Sequence, residues 1–238
     1  MIVARDLRKS FAGKEVLRGL NLRAQRGAIT LLVGANGAGK STTMKILAGL
    51  VKADRGSAHV NRIDIAHDRL AALRSLSYLP QSPSFHARLT GGELLRFYGQ
   101  LRGVAPSRPG AMLELAGVQD VERVRTAALS GGMRQRLGLA LLLLPDAPVL
   151  LLDEPGLSLD PRWRKRLQEI LQSEAERGKT VLVTTHLIAE WNGVADHCLL
   201  CREGRIECEL HPNDLPHDFE ELERFAPREG DRENVAAV

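Results

Sequence analysis

Gly34-Ala35-Asn36-Gly37-Ala38-Gly39-Lys40-Ser41 satisfies the pattern G-x-x-x-x-G-K-[ST] at every fixed position. Upstream, Leu31-Leu32-Val33 is a short apolar run; downstream, Thr42 to Leu50 is apolar at helical spacing. Strand, tight loop and helix in that order are the setting the pattern needs. Glycines let the backbone turn sharply, so that its N–H groups point inward at phosphate oxygens. The helix start adds a partial positive charge at the same place. Lys40 is placed to reach the β- and γ-phosphates of a nucleoside triphosphate, and the Ser41 hydroxyl to ligate Mg²⁺. The expected nucleotide-binding residues are therefore Gly34, Asn36, Gly37, Gly39, Lys40, Ser41 and Thr42.

A second stretch extends the site. Val149-Leu150-Leu151-Leu152 is an apolar run that ends in Asp153-Glu154, with Pro148 before it and Pro155 after it. A short apolar run between breakers reads as a buried parallel strand. Ligands in such sheets sit at the carboxyl ends of the strands, where Asp153 and Glu154 emerge. Asp153 is suited to hold Mg²⁺ through a water, and Glu154 to orient and deprotonate an attacking water.

A third stretch narrows the class. Leu129-Ser130-Gly131-Gly132-Met133-Arg134-Gln135-Arg136 lies between the two nucleotide motifs. It is a Ser-Gly-Gly helix start, with bare N–H groups and a hydroxyl available to an anion. It resembles the LSGGQ signature of the ATP-binding cassette (ABC) family, and the resemblance covers almost the whole chain up to about Glu209. The resemblance implies an α/β fold: a P-loop NTPase core, an N-terminal antiparallel β subdomain and an inserted helical subdomain. It implies ATP and Mg²⁺ as ligands and further site residues. Phe11 is similar to the aromatic that stacks on adenine, with Val16 packing nearby. Gln81, in Tyr78-Leu79-Pro80-Gln81, is similar to the glutamine that senses Mg²⁺ and the γ-phosphate, which makes Ser41, Gln81 and Asp153 the metal set. His186, after Val181-Leu182-Val183-Thr184-Thr185, resembles the switch histidine and joins Glu154 and Lys40 as catalytic. Asp160, in Ser158-Leu159-Asp160-Pro161, resembles the aspartate that couples two sites.

By the same resemblance, Ser130, Gly131 and Gly132 contact ATP held by a second cassette, a copy of this chain or a paralogue. Two cassettes then sandwich two ATP molecules, and hydrolysis releases the closed dimer. Met133 stands where many members have glutamine and reads as a subfamily mark. Gly156, Leu157 and Ser158 also depart from the family pattern, which predicts a more mobile backbone ahead of Asp160.

Composition bounds the rest. The 238 residues suffice for one large domain with its own core. Net charge is +4, but the residues from Asp214 onward carry eight acids against three arginines, so the body before them is basic. Aromatics are only 4%, and no basic patch is interleaved with them, so no nucleic-acid partner is expected. Arg162-Trp163-Arg164-Lys165-Arg166 reads as the solvated face of a helix that starts after Pro161. Met1 to Lys9 lacks a signal-peptide stretch, and the longest apolar run, Leu137 to Leu144, falls far short of the ~20 residues a membrane helix needs. Transport therefore implies a separate integral membrane permease, with this chain cytoplasmic and peripheral on the inner face of the membrane. Cys198, Cys201 and Cys208 fall in a predicted hairpin from Ala195 to Leu210, turning near Glu203-Gly204. Strand residues three apart face opposite sides, which disfavours a shared metal and favours reduced thiols.

Residues 1–212 are expected to form the cassette, with the helical subdomain inserted at about 82–135, and residues 213–238 an acidic tail. Met1 to about Arg26 reads as β-rich, with its turn at Phe11-Ala12-Gly13-Lys14. Gly92 to Leu101 and Gly110 to Gly117 show helical spacing. In related proteins the helical insert receives a coupling helix of the membrane subunit; Phe85, Leu89 and Leu94 are candidates for that groove or for core. The tract from Ser77 to Gly103 resembles the exporter branch that serves drugs, polysaccharides, haem and lipids, and Gly132 to Ala140 also resembles a copper-processing ATPase. The alternative is a soluble cassette, such as an iron–sulfur assembly ATPase. A chromosome-type ATPase is disfavoured because no coiled-coil insert separates Lys40 from Asp153, and a translation-type ATPase because there is one phosphate loop.

Overall fold

A computed structural model describes residues 1–210; the acidic stretch expected at 213–238 lies outside them. The phosphate-loop strand β3 (Ala28–Val33), the acidic-motif strand β7 (Val149–Asp153) and β8 (Thr180–Thr184) are buried along their whole length. Continuous apolar runs of this kind need cover on both faces, and a parallel sheet with helices on its faces supplies it. With β6 (Leu76–Leu79), β9 (His197–Arg202) and β10 (Arg205–Leu210) they form a six-stranded sheet in the order β10-β9-β3-β8-β7-β6. All neighbours are parallel except β9 and β10, which form the expected hairpin. A second, antiparallel sheet orders β2 (Lys14–Ala24), β1 (Ile2–Phe11), β4 (Arg55–Val60) and β5 (Ile63–Asp64).

Alternation along the strands divides the core in two. On one face of β7, Leu150 and Leu152 pack with Leu167, Ile170 and Leu171 of the helix α6 (Pro161–Glu176). On the other face, Val149 and Leu151 pack with Met44 and Leu47 of α1 (Lys40–Leu47) and with β1 and β2. Cys198 joins the first cluster and Cys201 the second, so the C-x-x-C pair faces opposite sides of the sheet, and all three thiols are buried.

A third cluster unites α3 (Gly91–Arg102), α4 (Arg108–Leu115) and the outer face of α5 (Gly131–Leu143). Between α3 and α1 lies the short α2 (Arg69–Arg74). The expected edge of the helical insert at 135 falls inside α5, which does not break there. Leu137 and Ala140 face the helical cluster while Leu139, Leu142 and Leu143 face the sheet, so one helix serves both cores. Leu94 is core in this cluster, and Leu89 and Phe85 pack against it; Phe85 also lines a groove of about 430 Å³ with Leu50, Tyr78 and Tyr98. No helix among the described residues is long and apolar enough to cross a membrane.

The basic run after Pro161 is only in part a solvated face. Arg162, Lys165 and Arg166 are exposed, but Trp163 is half-buried beneath the Arg136 guanidinium, 4.6 Å from its centroid, and Arg164 pairs with Glu190 at 3.1 Å. At the opposite end of α6, the buried Lys179 ammonium contacts the buried Glu174 carboxylate and lies 2.5 Å from Asp146 Oδ1. Glu174 also accepts from Arg177 Nη1 at 2.7 Å, so loss of the Lys179 ammonium leaves the buried carboxylate with one half-exposed cation. Lys179→Met is expected to destabilise the fold by about 2 kcal/mol, read as a lower urea midpoint at an unchanged slope.

Candidate functional site

The site forms where α1 meets the carboxyl ends of β3, β7 and β8. Gly34 has φ +148°, and a Cβ there would lie 2.0 Å from the Cys201 carbonyl oxygen, so only glycine fits. Gly39, at φ +108°, likewise leaves no room for a side chain against Leu17 and the Val16 carbonyl. The β9–β10 hairpin braces the loop from outside. The Gly204 N–H and the Cys201 thiol both donate to the Ala38 carbonyl, at 3.0 and 3.1 Å. Burial pushes the Cys201 thiol up to about 12, so it remains a protonated donor at neutral pH.

The N-terminus of α1 has no side-chain cap and no acid in its first turn. By contrast α3, α5 and α6 are capped by Thr90, Ser130 and Asp160. First-turn N–H groups have no partner within a helix, so the α1 start is open to an anion. Lys40 is buried, and its ammonium donates to the Gly34 and Ala35 carbonyls at 2.7 and 3.0 Å, inside the loop.

Asp153 leaves the end of β7 toward α1. Its Oδ1 accepts from Ser41 Oγ at 3.2 Å and from Thr184 Oγ1 at 2.6 Å. A hydroxyl and a carboxylate facing each other this closely are a hard oxygen donor set, and they fit Mg²⁺. Glu154 is buried and has φ +50°, an uncommon conformation for a residue with a side chain. Such conformations cost roughly 1–3 kcal/mol and persist where surrounding bonds enforce them. Here the Glu154 N–H donates to both Thr184 Oγ1 (2.9 Å) and Thr184 O (3.1 Å). The Glu154 carboxylate meets His186: its Oε2 is 2.8 Å from Nδ1 and accepts from the His186 N–H at 3.3 Å. Glu154 is thus aimed at an exposed histidine at the mouth of the site.

Lys40, Ser41, Asp153, Glu154 and His186 are brought to one place. Val16 is half-buried and its carbonyl abuts the loop at Gly39. Phe11 is exposed at the β1–β2 turn, with the Lys9 ammonium 5.2 Å from its ring centroid. Asn36, Thr42 and Gln81 lie on the loop, on the first turn of α1 and just beyond β6, and Gln81 is exposed. Asp160 caps α6 by accepting from the Trp163 N–H at 3.0 Å. The segment before it forms a turn, with the Leu159 N–H donating to the Gly156 carbonyl and Leu159 buried. Ser130 accepts from the Met133 N–H at 3.2 Å, and a Cβ on Gly132 would approach the Ser158 carbonyl to 3.1 Å. Among the described residues no hydrogen bond or ion pair joins Ser130–Gly132 to the phosphate loop.

Three contributors escape a reading of the motifs alone. Thr184 bonds both acids' strand end. Gln135, buried in α5, donates from Nε2 to the Pro155 carbonyl at 3.1 Å and so ties the signature helix to the exit of β7. Tyr78 on β6 carries a buried hydroxyl, and burial together with the Asp153 charge pushes its ionisation well above the usual phenol range.

A family model described as ABC transporter matches residues 17–156, more than half of the chain. The chain belongs to the ABC transporter family. This cassette is an ABC ATPase domain, and it is 35% identical over 215 residues to a Nod factor export ATP-binding protein I from Burkholderia lata, covering 89% of this chain and 71% of that protein. It is 32% identical to ATP-binding cassette sub-family A member 17 of Mus musculus over 87% of its length, but spans only 12% of that relative. Among solved structures, an ATP binding subunit of an ABC transporter superposes with TM-score 0.84 at 27% identity, covering 90% and 91% of the two chains. A dimeric bacterial ABC transporter cassette superposes with TM-score 0.82 at 25% identity, covering 89% and 99%.

Proposed function

We propose that the cassette hydrolyses ATP between two copies of itself and so powers an integral membrane permease, with export as the direction. The observation that carries the hydrolytic reading is the continuous chain of contacts from Ser41 through Asp153 and Thr184 to Glu154 and His186. In this reading the loop N–H groups and Lys40 bind the phosphates of ATP, and Phe11 and Val16 flank the base. Glu154 takes a proton from water as its oxygen attacks the γ-phosphorus; the bond to the β–γ bridging oxygen breaks, and ADP and phosphate leave. Ser41, Asp153 and Gln81 would hold Mg²⁺, which neutralises phosphate charge when bound. His186 contacts the γ-phosphate and keeps Glu154 oriented. Ser130, Gly131 and Gly132 complete the site of the second copy, and Asp160 and Gln81 couple the two sites.

Export is supported by the likeness to a Nod factor export protein. The apolar groove beside Phe85, Leu50 and Tyr98 suits an apolar element of the permease, which would hold the chain at the inner face of the membrane. Tagged cassette purified from detergent-solubilised membranes of its own cells is expected to carry a multi-span protein at fixed stoichiometry. Recovery from the soluble fraction alone would contradict the permease and the export reading together.

A further inference from the structure

We propose that Thr184 is a positioning residue: one hydroxyl at the end of β8 sets the geometry of both acids. Thr184 is fully buried, and it lies opposite Asp153 in the parallel β7–β8 register. Its Oγ1–H donates to Asp153 Oδ1 at 2.6 Å, and the same oxygen accepts the Glu154 N–H at 2.9 Å. The hydroxyl thus works as donor and acceptor at once. Packing does not call for it, because valine fills nearly the same volume on a strand whose inner residues are Val181, Leu182 and Val183. Its two bonds have distinct effects. The first fixes the Asp153 carboxylate with Oδ1 turned to Ser41. The second pins the peptide at which the chain enters the left-handed turn of Glu154, at φ +50°. Without the hydroxyl, Asp153 keeps the longer bond from Ser41 and the nearby Tyr78 hydroxyl, and among the described residues the Glu154 N–H keeps only the Thr184 carbonyl at 3.1 Å. Both carboxylates gain freedom, and a displacement near 1 Å at reacting groups can cost ~10²-fold in rate.

The inference rests on Asp153 as the Mg²⁺ acid and Glu154 as the base. Its test compares Thr184→Val and Thr184→Ser with the unaltered chain, with Glu154→Gln as control. Turnover and KM for ATP are measured, together with the gain in affinity for a non-hydrolysable ATP analogue that Mg²⁺ confers in calorimetry. Thr184→Val is expected to lower kcat by about ten- to a hundredfold, to shrink the Mg²⁺-dependent gain, and to raise KM by no more than the gain lost. Thr184→Ser, which keeps the hydroxyl, is expected to restore both to within about threefold. Should the valine variant not fold, Thr184→Ser against Thr184→Ala repeats the comparison at smaller volume. Wild-type turnover in the variants that lack the hydroxyl, or equal losses in Ser and Val, would overturn the proposal while leaving Glu154 as base. Turnover retained in Glu154→Gln would remove the catalytic reading beneath it.

Discussion

Glu154→Gln is expected to abolish steady-state hydrolysis while ATP stays bound. The substitution keeps the length and shape of the side chain, and an amide can still hydrogen-bond His186, whose Nδ1 lies 2.8 Å from Oε2. What it removes is the capacity to take a proton. A positioned general base contributes ~10²–10⁴-fold, so kcat should fall by that factor with KM for ATP little changed. The left-handed turn at Glu154 depends on the backbone N–H, which the substitution leaves in place, so the fold and the Mg²⁺ site should persist. A phosphate-release assay with calorimetric ATP binding reads both halves. Turnover within about threefold of the unaltered chain would mean that another group activates the water.

The second large effect is expected at Ser130, on the other side of the proposed dimer. Ser130→Arg places a long side chain at the start of α5, in the space that the partner's γ-phosphate would need. The lost cap, now a bond from the Met133 N–H to Oγ, costs about 1 kcal/mol, which is small against the stability of a domain. The variant should therefore fold and bind ATP through its own loop, yet fail to dimerise, and hydrolysis should fall by at least ~10²-fold because the donors facing the γ-phosphate are lost. Light scattering and turnover measured on one preparation separate this outcome from unfolding. Undiminished dimers would remove the signature from the interface.

The motifs were legible because their chemistry is contiguous in sequence. The Gly34–Ser41 loop, the Asp153-Glu154 strand end and the Ser130 helix start each carry their own backbone requirement, such as Gly34 against Cys201, in a few adjacent residues. The parallel strands were legible because residues buried on both faces leave unbroken apolar runs. Relations across the sheet were not. Nothing in Val181-Leu182-Val183-Thr184-Thr185 tells which threonine faces Asp153; that follows from the β7–β8 register. The one local hint was a hydroxyl residue in an apolar strand. Likewise Trp163 reads as part of a basic surface run until Arg136, from a different helix, covers it. Phe85 and Leu94 look equivalent in sequence, yet Leu94 is buried within the helical cluster, whereas Phe85, on the segment before α3, only packs against that cluster and also lines the groove. The expected edge near 135 falls within α5, a helix shared between two cores that carries no breaker where they meet.

The central claim is a nucleotide site shared between two copies of the chain, and the mass of Glu154→Gln in solution tests it most directly. That variant should hold ATP without consuming it, so the closed state should accumulate. Light scattering is expected to give twice the chain mass with ATP and the chain mass with ADP. A single-chain mass in saturating ATP, at concentrations where calorimetry shows the loop occupied, would contradict it.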